Sequence, residues 1–245
     1  MALTLTTAGE SHGPGLTCIV TGLPAGLALS REAIDRDLAR RQLGHGRGGR
    51  MKIERDAAIV TGGVRHGQTL GGPVALQIPN RDYANWEERM NPWPVDEEIA
   101  EVHLPRPGHA DLVGMWKYGH RDVRNVLERA SARETAARVA GGAVCRALLG
   151  ALGVSVHSHV VQIGEVQAPE REHALTAADF GEVDASPVRC LDPETTAAMV
   201  AYIDDMRRAN ESLGGVFEVQ AFGLLPGLGS HVSWDERLDG RLAQA

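Results

Sequence analysis

Two glycine-flanked histidines are the side chains of this sequence best suited to chemistry. His12 lies in GESHG at residues 9–13, and His109 lies in RPGHAD at residues 106–111. A glycine beside a histidine removes side-chain bulk where a ligand has to dock. Because an imidazole changes protonation near neutral pH, each histidine can exchange a proton with such a ligand. We therefore treat His12 and His109 as candidate catalytic residues.

Arginines are concentrated in residues 40–55 and 121–138, although the chain carries a formal net charge of -7. Guanidinium groups bind carboxylates and phosphates through paired hydrogen bonds. The two stretches therefore predict a site for a small ligand with several negative charges. Glycines interrupt the first stretch, so Arg47 and Arg50 are expected on a loop that closes over the ligand. A solvated charged surface is the alternative interpretation.

A third feature of the same kind begins at Ser131. The sequence SARE places Ser131 and Glu134 at the spacing of a capping box, ahead of an alanine-rich helix predicted over residues 131–152. The first turn of a helix offers unpaired N–H groups and the positive end of the helix dipole. With Arg129 and Arg133 alongside, this helix start is a predicted anion site. The capping box by itself is a structural feature.

Composition indicates a globular protein with a mixed fold. The chain has 245 residues, 43% of them hydrophobic, which is enough for a sizeable core in one large or two small domains. Only 4% of the residues are aromatic and 29 are glycine, which is typical of a loop-rich α/β enzyme. The three cysteines, Cys18, Cys145 and Cys190, have the spacing of neither a disulfide framework nor a zinc site.

The sequence also argues against several classes of partner. A pI near 5.8 is unlike that of proteins with a broad nucleic-acid-binding face. No apolar run approaches the ~20 residues of a membrane span, and the amino terminus lacks a signal-peptide pattern. We expect a soluble, cytoplasmic protein. No metal is expected either, since His157 and His159 share a strand face without a third ligand; surface or interface positions are predicted for both.

Periodicity and turn residues predict an alternation of strands and helices. Ser30 is the expected N-cap of a helix over residues 31–42, and Asp192 opens a helix that ends near Gly214. A long irregular stretch is expected at 80–108 and a short amphipathic helix at 234–245. The predicted strands are 3–7, 16–21, 57–61, 73–78, 154–161 and 216–221.

Taken together, these motifs resemble those of chorismate synthase. They are GESHG at 9–13, the arginines from 40 through Arg47, RPGHAD at 106–111 and RASARET at 129–135, followed in the same order by NESLGG at 210–215. The similarity extends from the first predicted strand to the last residue. The resemblance implies an α/β fold, in the α+β sense, with helices sandwiched between antiparallel sheets. It also implies one domain over residues 1–245 and assembly as a homotetramer.

The resemblance further implies a lyase reaction. Members of this family convert 5-enolpyruvylshikimate-3-phosphate into chorismate and phosphate by anti-1,4-elimination, and they require reduced FMN although no net redox change occurs. NADPH is the reductant in members that reduce their own flavin. By motif, His12 protonates the leaving phosphate and His109 lies beside the flavin. The other implied roles are substrate contacts at Arg41, Arg47, Arg106 and Arg133, NADPH contacts at Arg41 and Arg47, and FMN contacts at Arg129, Ala130 and Ser131.

The resemblance implies that family chains continue past the end of this sequence. The additional part carries further FMN-binding residues, together with an Arg and an Asp implicated in removing the ring proton. We therefore expect the 245-residue chain alone to be inactive or nearly so and to bind FMN weakly. Two alternatives stay open. One is a non-catalytic module that binds polyanions or RNA through the same basic loops, and the other is a truncated subunit that acts only in assembly.

Overall fold

The computed structural model describes residues 3–48, 54–171 and 173–245. The chain divides into two compact units, residues 1–148 and 149–245. Each unit has its own sheet and its own cluster of buried apolar side chains. The single domain that the resemblance implies stays a prediction. Arg50, expected on the glycine-rich loop, lies outside the described residues.

Strands and helices alternate along the described residues, and every strand pairing among them is antiparallel. This mixed α/β architecture confirms the predicted fold class. Within the same residues, no helix has both the length and the apolar content that a membrane crossing needs. The elements are β1 Thr4–Ala8, β2 Gly15–Thr21, β3 Ala25–Ala28, α1 Arg31–Gln42, β4 Ile59–Gly62, β5 Val64–Arg65, β6 Gln68–Leu70, β7 Val74–Pro79, α2 Asp111–Tyr118, α3 Arg124–Leu127, α4 Thr135–Ala151, β8 Ser155–Ile163, β9 Val166–Gln167, α5 Pro193–Arg208, β10 Gly215–Phe222 and α6 Leu238–Gln244.

The first unit is built on a four-stranded sheet in the order β1-β2-β7-β4, with β3, β6 and β5 forming a smaller sheet. Successive side chains of a strand point to opposite faces, so a buried face requires apolar residues at every second position. The register meets this requirement by pairing three buried residues of β2 with three of β7: Leu16 with Ile78, Cys18 with Leu76, and Val20 with Val74. The predicted strands at 16–21 and 73–78 are therefore confirmed.

Helix α4 packs on this sheet through small residues. A Cβ atom added at Gly141 would lie 2.4 Å from Leu5 Cδ1 and 2.6 Å from Cys18 Sγ, so the glycine is what allows helix and strands to approach so closely. Burial raises the pKa of the Cys18 thiol to about 11. The thiol is therefore protonated at neutral pH and belongs to the core rather than to a reactive site.

We expect two neighbouring glycines of α4 to respond differently to alanine. At Gly142 no atom lies within 4 Å of an added Cβ, so Gly142→Ala should raise the free energy of unfolding by about 0.5–1 kcal/mol through helix propensity. Gly141→Ala makes the same gain but displaces Leu5 and Cys18. It should therefore be about 1–3 kcal/mol less stable than Gly142→Ala. Urea denaturation measures both, and equal midpoints would contradict the tight contact.

The second unit contains a three-stranded sheet in the order β10-β8-β9. Helix α5 begins after Asp192, whose side chain accepts a hydrogen bond from the Thr195 N–H at 2.7 Å. Its Met199 is buried in one cluster with Val188 and Cys190. The cap predicted at Asp192 is therefore confirmed, as is the cap at Ser30, whose hydroxyl oxygen accepts from the Ala33 N–H at the start of α1.

Two expectations about single residues are wrong. His159 is buried rather than at a surface, because the Phe180 ring packs against it and its Nε2 lies 3.2 Å from Glu218 of the neighbouring strand. The capping box at Ser131 is not formed. Ser131 accepts from the Arg133 N–H in a 3-10 turn, while the Glu134 carboxylate accepts from other side chains, and α4 begins only at Thr135.

Two helix boundaries also differ from the prediction. Helix α5 ends at Arg208 rather than near Gly214, since Asn210 adopts a left-handed backbone with φ of 57° that no α-helix continues through. Helix α2, which directly follows His109 and Ala110, lies where no helix was predicted. It is only eight residues long, and its N-cap residue Ala110 has no side-chain capping group, so the usual start signal is absent from the sequence.

Candidate active site

The loop between β1 and β2 presents His12. Gly9 begins this loop with φ of 106°, and a Cβ there would lie 2.4 Å from the Gly15 carbonyl oxygen, so the turn requires glycine. The side-chain amide of Asn80, at the end of β7, donates hydrogen bonds to the carbonyl oxygens of Glu10 and Gly13 at 3.0 and 2.8 Å. These two hydrogen bonds therefore anchor the loop to the end of β7.

The imidazole of His12 is fixed from three sides. Its Nδ1 lies 2.9 Å from Glu128 Oε1, and its backbone N–H donates to Glu128 Oε2 at 2.8 Å. The Trp86 ring stacks on it with a centroid distance of 4.1 Å. Its Nε2 lies 3.8 Å from an Asp82 carboxylate oxygen. A histidine so oriented presents Nε2 in a defined direction, which is what proton transfer to a bound ligand needs.

The predicted FMN segment meets the same loop. Ser131 donates a hydrogen bond from its hydroxyl to the Ser11 hydroxyl at 3.0 Å, and the Ser11 N–H donates to the Glu128 carbonyl oxygen at 3.0 Å. Arg129 donates to the carbonyl and hydroxyl oxygens of Thr7 at 2.9 and 2.8 Å, and its side chain is 42% exposed. Ala130 is exposed as well. Residues 129–131 and the His12 loop are thus one local structure.

Arg133 lies beneath this loop in a buried network. It is 4% exposed, and it donates to Asn80 Oδ1 at 2.9 Å and to Asp56 Oδ1 at 2.6 Å. Its Nη2 lies 3.8 Å from a Glu54 carboxylate oxygen. Arg41, at the end of α1, shares the Asp56 carboxylate at 3.5 Å. Both arginines therefore hold parts of the site together, and a direct contact of either with a ligand stays a prediction.

Arg106 is locked to the start of helix α2. Its Nε and Nη2 contact the two carboxylate oxygens of Asp111 at 2.8 and 2.9 Å. Asp111 is fully buried, and the hydrogen bonds from Arg106 hold the pKa of the Asp111 carboxyl below its usual range although burial alone would raise it. Arg106 Nη2 also lies 3.5 Å from the Leu127 carbonyl oxygen, next to Glu128. Arg106 is therefore connected to the His12 side of the site.

We expect Asp111→Asn to cost about 1–2 kcal/mol of unfolding free energy near neutral pH, since Arg106 is partly exposed and retains some solvation. A lowered carboxyl pKa contributes stability above the unfolded-state value of ~3.9, and the contribution is lost as the pH falls through the lower folded-state value. The difference between the native chain and Asp111→Asn should therefore be constant above about pH 5 and shrink toward pH 2. Urea titrations across this range test it, and a difference that grows on acidification would refute it.

His109 and Arg47 are less constrained than the other predicted site residues. The His109 ring is exposed, with its Nδ1 2.9 Å from the Pro107 carbonyl oxygen, and it lies two residues before Asp111. Arg47 is exposed on the loop after α1 and donates from Nε to the Leu43 carbonyl oxygen. Among the described contacts, those of Arg47 stay within its own loop. The contacts join His12, Arg41, Arg106, Arg129, Ser131 and Arg133, but they do not bring Arg47 to this group.

Sequence reasoning missed the acceptors of the site. Glu128 faces His12, and Asp56 and Glu54 face Arg133. These carboxylates lie inside or beside the arginine-rich stretches. In the sequence they therefore resemble acidic residues of an ordinary charged surface. The one available signal is the alternation Glu54-Arg55-Asp56, which puts both carboxylates on the same side of an extended segment.

Comparison with known proteins gives a consistent result. A family model described as chorismate synthase matches residues 3–245. The chorismate synthase of Rubrobacter xylanophilus is 61% identical over all of this chain and 62% of its own length. That of Thermobifida fusca is 56% identical over 98% of this chain and 63% of its own length. The chain thus spans about three fifths of the length of the curated relatives it matches.

A solved structure agrees with the sequence relatives. A crystal structure of a chorismate synthase superimposes with a TM-score of 0.78 and 43% identity, covering 100% of this chain and 65% of its own chain. The motifs around both histidines and the match over residues 3–245 lead to one assignment. The chain belongs to the chorismate synthase family.

Proposed function

We propose that this chain forms the part of a chorismate synthase active site that binds 5-enolpyruvylshikimate-3-phosphate and protonates its leaving phosphate. One observation carries the proposal: Glu128 and Ser131 link the loop of His12 to the arginine-rich segment 129–133 through contacts of 2.8–3.0 Å. A proton donor and cationic groups therefore belong to one local structure. The reaction is a lyase reaction of aromatic biosynthesis that yields chorismate and phosphate.

The partly exposed arginines are the best suited to hold the substrate. Arg129 and Arg106 expose about two fifths of their side chains and still have N–H groups to offer. The substrate carries two carboxylates and a phosphate, which guanidinium groups bind through charge-assisted hydrogen bonds. Arg47 can join them from its exposed loop. Arg133 and Arg41 support the site from within the protein, where Arg133 pairs with Asp56 and Glu54 and Arg41 lies beside Asp56.

The donor set also fits reduced FMN, which the family implies as cofactor. Arg129 supplies a half-exposed guanidinium, and Ser131 a hydroxyl, so both suit an anionic or carbonyl-bearing ligand. In the proposal, residues 129–131 hold FMN and the exposed His109 stabilises its negative charge. What reduced FMN supplies when bound is a transient electron that eases departure of the phosphate and is recovered. NADPH is proposed as the flavin reductant, with contacts at Arg41 and Arg47.

The proton balance of the reaction assigns His12 its task. In the 1,4-elimination a ring proton is lost, and the C–O bond to phosphate breaks with its electron pair leaving on the phosphate oxygen. His12 donates the proton from Nε2 to that oxygen, which makes the phosphate a better leaving group. The stacking of Trp86 on the imidazole limits water access to one face of this donor.

Location and assembly complete the proposal. We infer a cytoplasmic enzyme, assembled as a homotetramer, with a small-molecule substrate and neither a nucleic acid nor a membrane as partner. The acidic pI of about 5.8 supports the part about nucleic acid, because a broad basic face is what phosphate backbones need.

Titration of reduced and oxidised FMN, with and without 5-enolpyruvylshikimate-3-phosphate, tests the proposed function through flavin absorbance. We expect reduced FMN to bind more tightly when the substrate is present, because both ligands share one site. Shikimate 3-phosphate, which lacks the enolpyruvyl carboxylate, should tighten it less. Binding of any polyanion with a steep salt dependence and no preference for flavin would instead support the polyanion-binding module.

A further inference from the structure

Glu128 contacts both the backbone and the imidazole ring of His12. It is 2% exposed and lies directly after helix α3. One carboxylate oxygen accepts from the His12 backbone N–H at 2.8 Å, and the other lies 2.9 Å from Nδ1. Its backbone carbonyl oxygen accepts from the Ser11 N–H at 3.0 Å. Backbone and side chain of one buried residue thus fix both the loop and the ring.

These contacts decide which ring nitrogen carries a proton. An ionised carboxylate can only accept hydrogen bonds, so Nδ1 of His12 must donate to it. Arg106 and Arg124 both interact electrostatically with Glu128. Nε2 is the other ring nitrogen, on the side of the ring away from Glu128, and it lies 3.8 Å from an Asp82 carboxylate oxygen. When the ring is protonated at both nitrogens, Glu128 stabilises the positive charge.

We propose that Glu128 is the positioning residue of His12: it fixes the ring and keeps Nδ1 protonated, so that the imidazolium gives its Nε2 proton to the leaving phosphate and is left as the neutral Nδ1–H form. Glu128 does not itself touch the substrate. The inference rests on the proposed function only for the identity of the proton acceptor. The fixed protonation pattern of the imidazole follows from the contacts of Glu128 alone.

Glu128→Gln distinguishes positioning from a merely structural role. The amide has nearly the same shape, but only one of its two terminal atoms is an acceptor. Because the His12 backbone N–H needs that acceptor, the amide nitrogen faces Nδ1 and favours the form with the proton on Nε2. We expect kcat for chorismate formation with reduced FMN, measured on a chain carried to the full length of the family relatives, to fall about 100-fold, with KM nearly unchanged. If Glu128 had only a structural role, the glutamine of Glu128→Gln, which has nearly the same shape, would keep the native activity.

Nitrogen-15 NMR of the histidine rings gives the second measurement. The His12 signals are those missing from the spectrum of His12→Asn. We expect the neutral ring to carry its proton on Nδ1 in the native chain and on Nε2 in Glu128→Gln. The native spectrum alone is decisive should the variant fail to fold, because a native ring protonated on Nε2 overturns the inference.

A second histidine–glutamate contact provides the control. Glu101 lies 3.5 Å from His103 Nε2, and both side chains are about half exposed. Glu101→Gln should leave kcat and the His12 spectrum unchanged. Native kcat in Glu128→Gln overturns the positioning role, whereas native kcat in His12→Asn overturns the proposed function of His12. The two failures are therefore distinguishable.

Discussion

Arg133→Ala is expected to lower the free energy of unfolding by about 3–5 kcal/mol. Arg133 is 4% exposed and has the Asp56 carboxylate at 2.6 Å and the Glu54 carboxylate at 3.8 Å. Both carboxylates are buried, so removing the cation leaves Asp56 charged, away from solvent and without the counterion at 2.6 Å. Arg41 compensates only in part, because its Nη1 lies 3.5 Å from the Asp56 carboxylate, farther than the 2.6 Å contact of Arg133.

The matched control for this variant is Arg138→Ala. Arg138 lies on the first turns of α4 and contacts Glu134 at 2.9 Å, but its side chain is 63% exposed. Exposed ion pairs contribute little, so the loss should stay below about 1 kcal/mol. Urea denaturation at neutral pH compares the two variants. A double variant, Arg133→Met with Asp56→Asn, should recover part of the loss, since it removes one buried charge together with its partner. Equal losses in Arg133→Ala and Arg138→Ala would refute the buried network.

Loss of Arg133 should also disturb the position of the loop that carries His12. Asn80 accepts a hydrogen bond from Arg133 and donates two to the loop that carries His12. The loop position therefore depends on Arg133 through Asn80. The sequence motif makes every one of these arginines a candidate ligand contact, whereas burial separates the supporting arginines from those that a ligand can reach.

The elements with strong local signals were predictable from sequence. Helix α1 has both its cap at Ser30 and its limits at residues 31–42 as predicted, because a capping side chain and an apolar stripe agree there. The strands at 16–21 and 73–78 are predictable because each is a short apolar run beside glycines that mark turns. The motif histidine His12 was recognised from its glycines. In each case a single local pattern carries the information.

The parts that sequence did not predict depend on long-range contacts. Glu128 meets His12 across 116 positions of sequence, and Asp56 meets Arg133 across 77. Spacing within a motif says nothing about such pairs, which only the folded sheet and α4 bring together. The capping box at Ser131 failed for the same reason. Glu134 accepts a hydrogen bond from Thr7, 127 positions away, as well as from Arg138 one helical turn further along, so a tertiary contact competes with the local cap.

His12→Asn is expected to lower kcat for chorismate formation by about 10²- to 10⁴-fold, the usual contribution of a positioned acid. The asparagine amide can donate to Glu128 much as Nδ1 does, so the buried carboxylate keeps a partner and the loop its position. What the variant lacks is Nε2, the only part of the ring assigned to proton transfer. KM should change little, since the proposed substrate contacts are the arginines.

The assay that separates these effects uses a chain carried to the full length of the family relatives, with reduced FMN and exclusion of oxygen, and follows chorismate by absorbance. His120→Asn is the control, because His120 faces Tyr118 at a ring distance of 6.1 Å and has no contact with Glu128 among the described residues. A large fall in kcat for His12→Asn alone, with substrate binding preserved, makes His12 a proton donor rather than a binding residue. A variant that loses binding but keeps kcat would instead place His12 among the phosphate ligands, because a group that holds substrate and transition state equally affects KM and not kcat.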